Sequence, residues 1–144
     1  MRFHLTCVAA AAAAALSFAV VSTSAQATPE NQFAGEWCGT FELIGDEDPA
    51  VEGTLNLSIS ESGVITGDFY NTTFDVPGVM RGRIRDDGMV GLNPDVYGTG
   101  PGGEGGNGEH HAGTAYIDGG KLYIPTTAVW NGGPSVLAVL ELCD

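Results

Sequence analysis

The chain has 144 residues, 43% of them hydrophobic, with five Lys and Arg against 18 Asp and Glu and a net charge of −13 at pH 7. That excess of acid disfavours nucleic acid and anionic membrane surfaces as partners and favours solubility, although a saline habitat would account for it equally well. Twenty-two glycines, with no collagen-type period and with alternating hydrophobic residues between them, argue for many turns and short strands rather than disorder.

Met1 to Ala27 reads as a secretory signal peptide, with Arg2 as the positive end, an alanine-rich apolar run from Val8 to Val21, and Ala25-Gln26-Ala27 as the A-x-A cleavage site. The run is shorter than the roughly 20 residues a membrane span requires, so no span is expected after cleavage. The expected location is secreted or periplasmic. Residues 28–144 then make one domain, with only Arg81, Arg83, Arg85 and Lys121 against 18 acids, a net charge of −14. Cys7 leaves with the leader. Cys38 and Cys143 remain, and in an exported chain they can pair in one way only. Without a C-x-x-C pattern the bond is structural rather than redox-active.

Thr28 to Phe33 reads as a poorly ordered polar leader. From Ala34 to Leu43, Trp37, Gly39, Phe41 and Leu43 alternate with Glu36, Cys38, Thr40 and Glu42, the period of a strand. The Gly45-Asp46-Glu47-Asp48-Pro49 cluster ends it. Val51 to Ser60 alternates most cleanly, and Glu61-Ser62-Gly63 turns it into a return strand, Val64 to Tyr70. A connection with Phe74 and Pro77 leads to Val79–Arg85, and Asp86-Asp87-Gly88 turns that into a short strand, Met89–Leu92. Asn93 to Gly113 has no period and reads as a long glycine-rich loop. Thr114–Ile117 and Lys121–Val129 form a hairpin about Asp118-Gly119-Gly120, with Pro125 requiring an edge, a bulge or a strand end. After Asn131-Gly132-Gly133-Pro134, Ser135 to Cys143 is the last strand. No helical period occurs beyond the leader.

The expected fold is therefore all-β: an antiparallel up-and-down meander of about eight strands closing into a small barrel. In such a barrel the first and last strands are neighbours. Cys38 shares a face with Glu36 and Glu42, and Cys143 shares one with Glu141, so the disulfide would link these strands on the outer surface.

The run Gly35-Glu36-Trp37-Cys38-Gly39-Thr40 resembles the G-x-W opening of the calycins, the avidin and lipocalin type of barrel, and in particular the G-x-W-x-G first strand of avidins. Gly63 to Tyr70 is similar to their second hairpin. The resemblance implies an eight-stranded up-and-down barrel with a pocket at one end. It does not extend to biotin, because avidin-like pockets are rich in tryptophan and this chain has only Trp37 and Trp130.

Several groups of residues bear on chemistry. Gly100 to Gly105 satisfies G-x-G-x-x-G but has neither the preceding parallel strand nor the following helix that dinucleotide binding needs. No phosphate-binding P-loop occurs. Glu104, Glu109, His110 and His111 have donor types that suit zinc, copper or nickel, so a divalent metal is the one cofactor with candidate ligands, although a solvated loop explains the same residues. Asp46-Glu47-Asp48 and Asp86-Asp87-Gly88 match no EF-hand. Arg81, Arg83 and Arg85 lie on one face of one strand. They can receive a carboxylate, a sulfate or an acidic partner, or they can pair across the sheet with acids such as Asp68 and Glu52. Ser58, Ser60, Ser62 and Ser135 lack a G-x-S-x-G elbow, and no enzyme activity is expected. Asn56-Leu57-Ser58 and Asn71-Thr72-Thr73 fit a glycosylation sequon.

The leading expectation is an exported barrel that binds a small apolar or amphipathic molecule in its mouth, with Trp37, Phe41, Phe69, Tyr97 and Trp130 as contacts. The alternatives are a module that binds an extracellular protein, such as an inhibitor of a secreted enzyme acting through the 93–113 loop, and a metal-binding protein using Glu109, His110 and His111. Trp37 and Phe41 would also serve as core.

Overall fold

A computed structural model describes residues 30–45, 50–96, 110–129 and 134–144. The expected leader, residues 1–27, lies outside them. The described residues form strands and no helix: β1 (Gly35–Ile44), β2 (Glu52–Ile59), β3 (Val64–Asn71), β4 (Val76–Ile84), β5 (Met89–Val96), β6 (His111–Thr114), β7 (Tyr116–Asp118), β8 (Lys121–Ala128) and β9 (Ser135–Leu142).

Each strand from β1 to β5 pairs antiparallel with the next, β5 with β6, β8 with β9, and β9 with β1. β6 and β7 keep one register against β8, from His111 opposite Ala128 to Asp118 opposite Lys121. They are two halves of one bent stave, and the ring closes with eight. The break between them falls opposite Pro125, which has no N–H to give to the ladder. Pro125 thus sits inside a closed barrel by interrupting one pairing and keeping the other, with Leu137 of β9.

The alternation read from the sequence sets the two faces of this wall. Trp37, Leu55, Leu57, Ile59, Ile65, Phe69, Ile84, Leu92, Leu122, Ile124 and Leu140 point inward and form one buried cluster. Full burial of each large aliphatic or aromatic side chain contributes roughly 1.5–3 kcal/mol before entropy is counted. Glu36, Thr54, Asn56, Asp68 and Glu141 remain exposed outside. Cys38 and Cys143 are joined across the β1–β9 seam, with Cα atoms 5.2 Å apart.

One end of the barrel is plugged. The segment expected to be a loose leader folds under the strands: Asn31 and Phe33 are buried, and Asn31 donates to the Ile84 carbonyl while accepting from the Phe33 amide. The Trp37 indole donates to the Phe33 carbonyl at 2.9 Å. An amide that can both donate and accept satisfies the plug's backbone away from water.

Strand limits depart from expectation at three places. β4 begins at Val76, β5 continues to Val96, and β6 starts at His111, so the connection read as Asn93 to Gly113 contracts to residues 97–110. Asn93-Pro94-Asp95 and Gly113 have loop-like composition, but each finds a waiting partner: Asn93 pairs with Arg81, Pro94 with Met80, and Gly113 with Val90. Tertiary pairing overrides local propensity there.

Candidate functional site

The connections β1–β2, β3–β4, β5–β6 and β8–β9 leave from the end opposite the plug. Three of them include residues 46–49, 97–109 and 130–133, which lie outside the described residues, and with them Tyr97, Glu104, Glu109 and Trp130. At this end Phe41 is half-buried against Phe69, ring edge to ring face, with centroids 6.0 Å apart and planes at 86°. Glycines make room for both rings. A Cβ at Gly53 would lie against the Phe41 ring, and one at Gly78 would lie against the Phe69 ring inside van der Waals contact. Ala138 stands opposite Phe41 on β9. Around the rim, Ile44, Phe74 and Val129 are large apolar side chains, each more than half exposed.

Trp37 does not reach this mouth. It lies four residues along β1 from Phe41, about 14 Å at strand rise, and is 4% exposed beneath the core. Of the five expected ligand contacts, the structure therefore brings together Phe41 and Phe69 and places Trp37 at the plugged end.

The adjacent histidines point to opposite sides of the wall, His111 at the start of β6 and His110 immediately before it. His111 is buried on the inward face. His110 is exposed outside, with Nδ1 2.8 Å from Asn93 Oδ1 and its ring beside Gly91. The two imidazoles therefore do not converge, and no group of three or more His, Cys, Asp or Glu side chains with metal-binding geometry occurs among the described residues.

The arginines also separate. Arg85 leaves the strand and pairs with Asp87 at 2.9 Å. Arg81 and Arg83 stay exposed on the outer face of β4, and neither forms an ion pair among the described residues. The acids expected to neutralise them are engaged or remote: Asp68 accepts from Asn56 at 2.9 Å, and Glu52 is two strands away on β2. Two depressions lined by described residues mark the outer wall. One, of about 350 Å³, lies over β9, β1 and β2 between Thr40, Thr54, Leu137 and Val139. The other, of about 560 Å³, lies near the plug between Glu61, Ser62, Arg83 and Asp87.

Sequence reasoning missed the plug and the hydrogen bond from the Tyr70 phenol to the Asp75 carboxylate. Phe33, a lone large apolar residue two positions before the Gly-Glu-Trp run, was the available signal for the plug. Asp75 has a positive φ of 58°, which no local pattern announces. No family model matches the chain, and neither a curated protein nor a solved structure matches it.

Proposed function

We propose that this is an exported, calycin-like binding module that takes a small apolar or amphipathic molecule at its loop end. The observation that carries the reading is the apolar composition of that end: a half-buried Phe41 on Phe69, small residues beside both rings, and exposed Ile44, Phe74 and Val129 around them. The packed cluster below supports a ligand position above the two phenylalanines rather than in the barrel centre. A site with an apolar floor and a few polar rim groups is the usual form of a small-molecule pocket. The disulfide fits an oxidising compartment, which supports a secreted or periplasmic location.

Because the protein is strongly acidic, a neutral probe is the appropriate test. Titration with N-phenyl-1-naphthylamine is expected to give saturable 1:1 emission, and Phe41→Asp is expected to weaken it at least about tenfold by placing a charge in an apolar contact. Absence of saturable emission from the folded protein would count against the reading. The same apolar rim suits the second reading, a surface for an extracellular protein; there, Phe74→Asp would weaken complex formation far more than it weakens the probe titration.

A further inference from the structure

We propose that the outer wall formed by β3, β4 and β5 is a second binding site, separate from the loop end, for a small soluble oxoanion carrying a carboxylate or phosphate group. Arg81 and Arg83 are its cationic grip. They project from the same side of one strand about 6.8 Å apart, close enough for two long side chains to converge on one anion. Two like charges held side by side repel each other, and cross-strand carboxylates would normally relieve this. Here neither arginine forms an ion pair among the described residues: Arg85 is the arginine that takes an acid, and Asp68 directs one carboxylate oxygen to Asn56.

None of the four positions directly across from the two arginines is an acid, and those beside Arg81 carry side-chain donors. Arg81 stands between Thr66 and Asn93, and Arg83 stands between Val64 and Gly91. Asn93 Oδ1 lies 2.8 Å from His110 Nδ1, which leaves the amide's N–H₂ as the donor for another partner. Guanidinium, amide and hydroxyl donors together form the set that planar or tetrahedral oxoanions accept, and guanidinium does so with two parallel bonds. Asp68 and Asp95 stand at the Val79 rung, two residues along β4 from Arg81 on the same face, and Glu61, Asp86 and Asp87 line the depression beside Arg83, so carboxylates bound the site at both ends. In a chain of net charge −13, this is where unpaired cations adjoin each other, so a soluble anion is directed to this face.

The test is an amide-resolved NMR titration of the ¹⁵N-labelled protein with sodium phosphate and, separately, sodium acetate, with ionic strength held constant by chloride. Saturable shifts are expected at Thr66, Arg81, Arg83 and Asn93. The Arg81→Gln/Arg83→Gln double variant should bind at least about tenfold more weakly, whereas Arg85→Gln should stay within about twofold of the parent. Dispersed amide spectra of each variant confirm the fold. Shifts that match those from chloride alone, or that persist unchanged in the double variant, would overturn the proposal. Because the probes and residues differ from those at the mouth, the outcome is independent of the loop-end reading.

Discussion

At the scale of single residues, local hydrogen bonds decide which polar groups have structural work. Tyr70 donates to Asp75, which holds the phenol above its ordinary value of 10.0, first through that hydrogen bond, then through desolvation and the neighbouring charge. A folded-state value raised in this way means the contribution is fully present below the ordinary phenol range and is lost as pH rises through the folded-state value. Asp75→Asn is therefore expected to return one tyrosine to ordinary alkaline titration, followed by ultraviolet absorbance. Identical titration curves for parent and variant would show that the bond does not persist in solution. Trp37 belongs to the same scale: its N–H is committed to Phe33, so the motif that resembles a ligand-binding family serves to close the barrel end.

Among the strands, the spacing of backbones is set by glycines in the wall. A Cβ added at Gly39 would meet the Val139 carbonyl oxygen and the Leu140 backbone across the β1–β9 seam. Gly91 is a useful contrast, because a Cβ there meets only the His110 ring edge, at 3.3 Å, and that side chain can move. Gly39→Ala is expected to cost about 1–3 kcal/mol, in the range of overpacking, while Gly91→Ala costs clearly less. Urea unfolding of both variants checks the order, and equal losses would mean the seam tolerates a wider gap than its geometry indicates. The β7–β8 turn follows the same logic on a smaller scale. Gly119 and Gly120 both have positive φ, 57° and 80°, which suits the tight two-residue hairpin that the strand twist favours.

For the whole molecule, closure rests on one seam, held in two ways, that joins residues remote in sequence. β9 pairs with β1 along its length, and Cys38 is bonded to Cys143 at a separation of 105 residues. In the chain-entropy account a loop of that size constrains the unfolded state by roughly 4–5 kcal/mol. A Cys38→Ala/Cys143→Ala variant should therefore melt at distinctly lower temperature while keeping its β-type circular dichroism, because the β1–β9 ladder itself remains. An unchanged melting temperature would mean that the barrel holds the seam without the bond.

Period-two alternation in Trp37 to Leu43 and Val51 to Ile59 was enough to make those strands and their inward faces legible in the sequence, whereas Val136 to Leu142, apolar on both faces, was legible as a strand without an inward face. The paired cysteines were legible too, because an exported chain with two offers one connectivity. Pairing across distance is what the sequence could not display. Asn93, Pro94 and Gly113 read as loop and become strand because Arg81, Met80 and Val90 present open backbone to them. The same holds for the candidate sites. Residue types nominated Phe41, Phe69 and the arginines, but only the folded wall set Phe41 beside Phe69, sent His110 and His111 to opposite faces, and left Arg81 and Arg83 without the acids expected to neutralise them. Alternation is a local property of the chain, whereas a neighbour's charge, ring or carbonyl is supplied by strands tens of residues away.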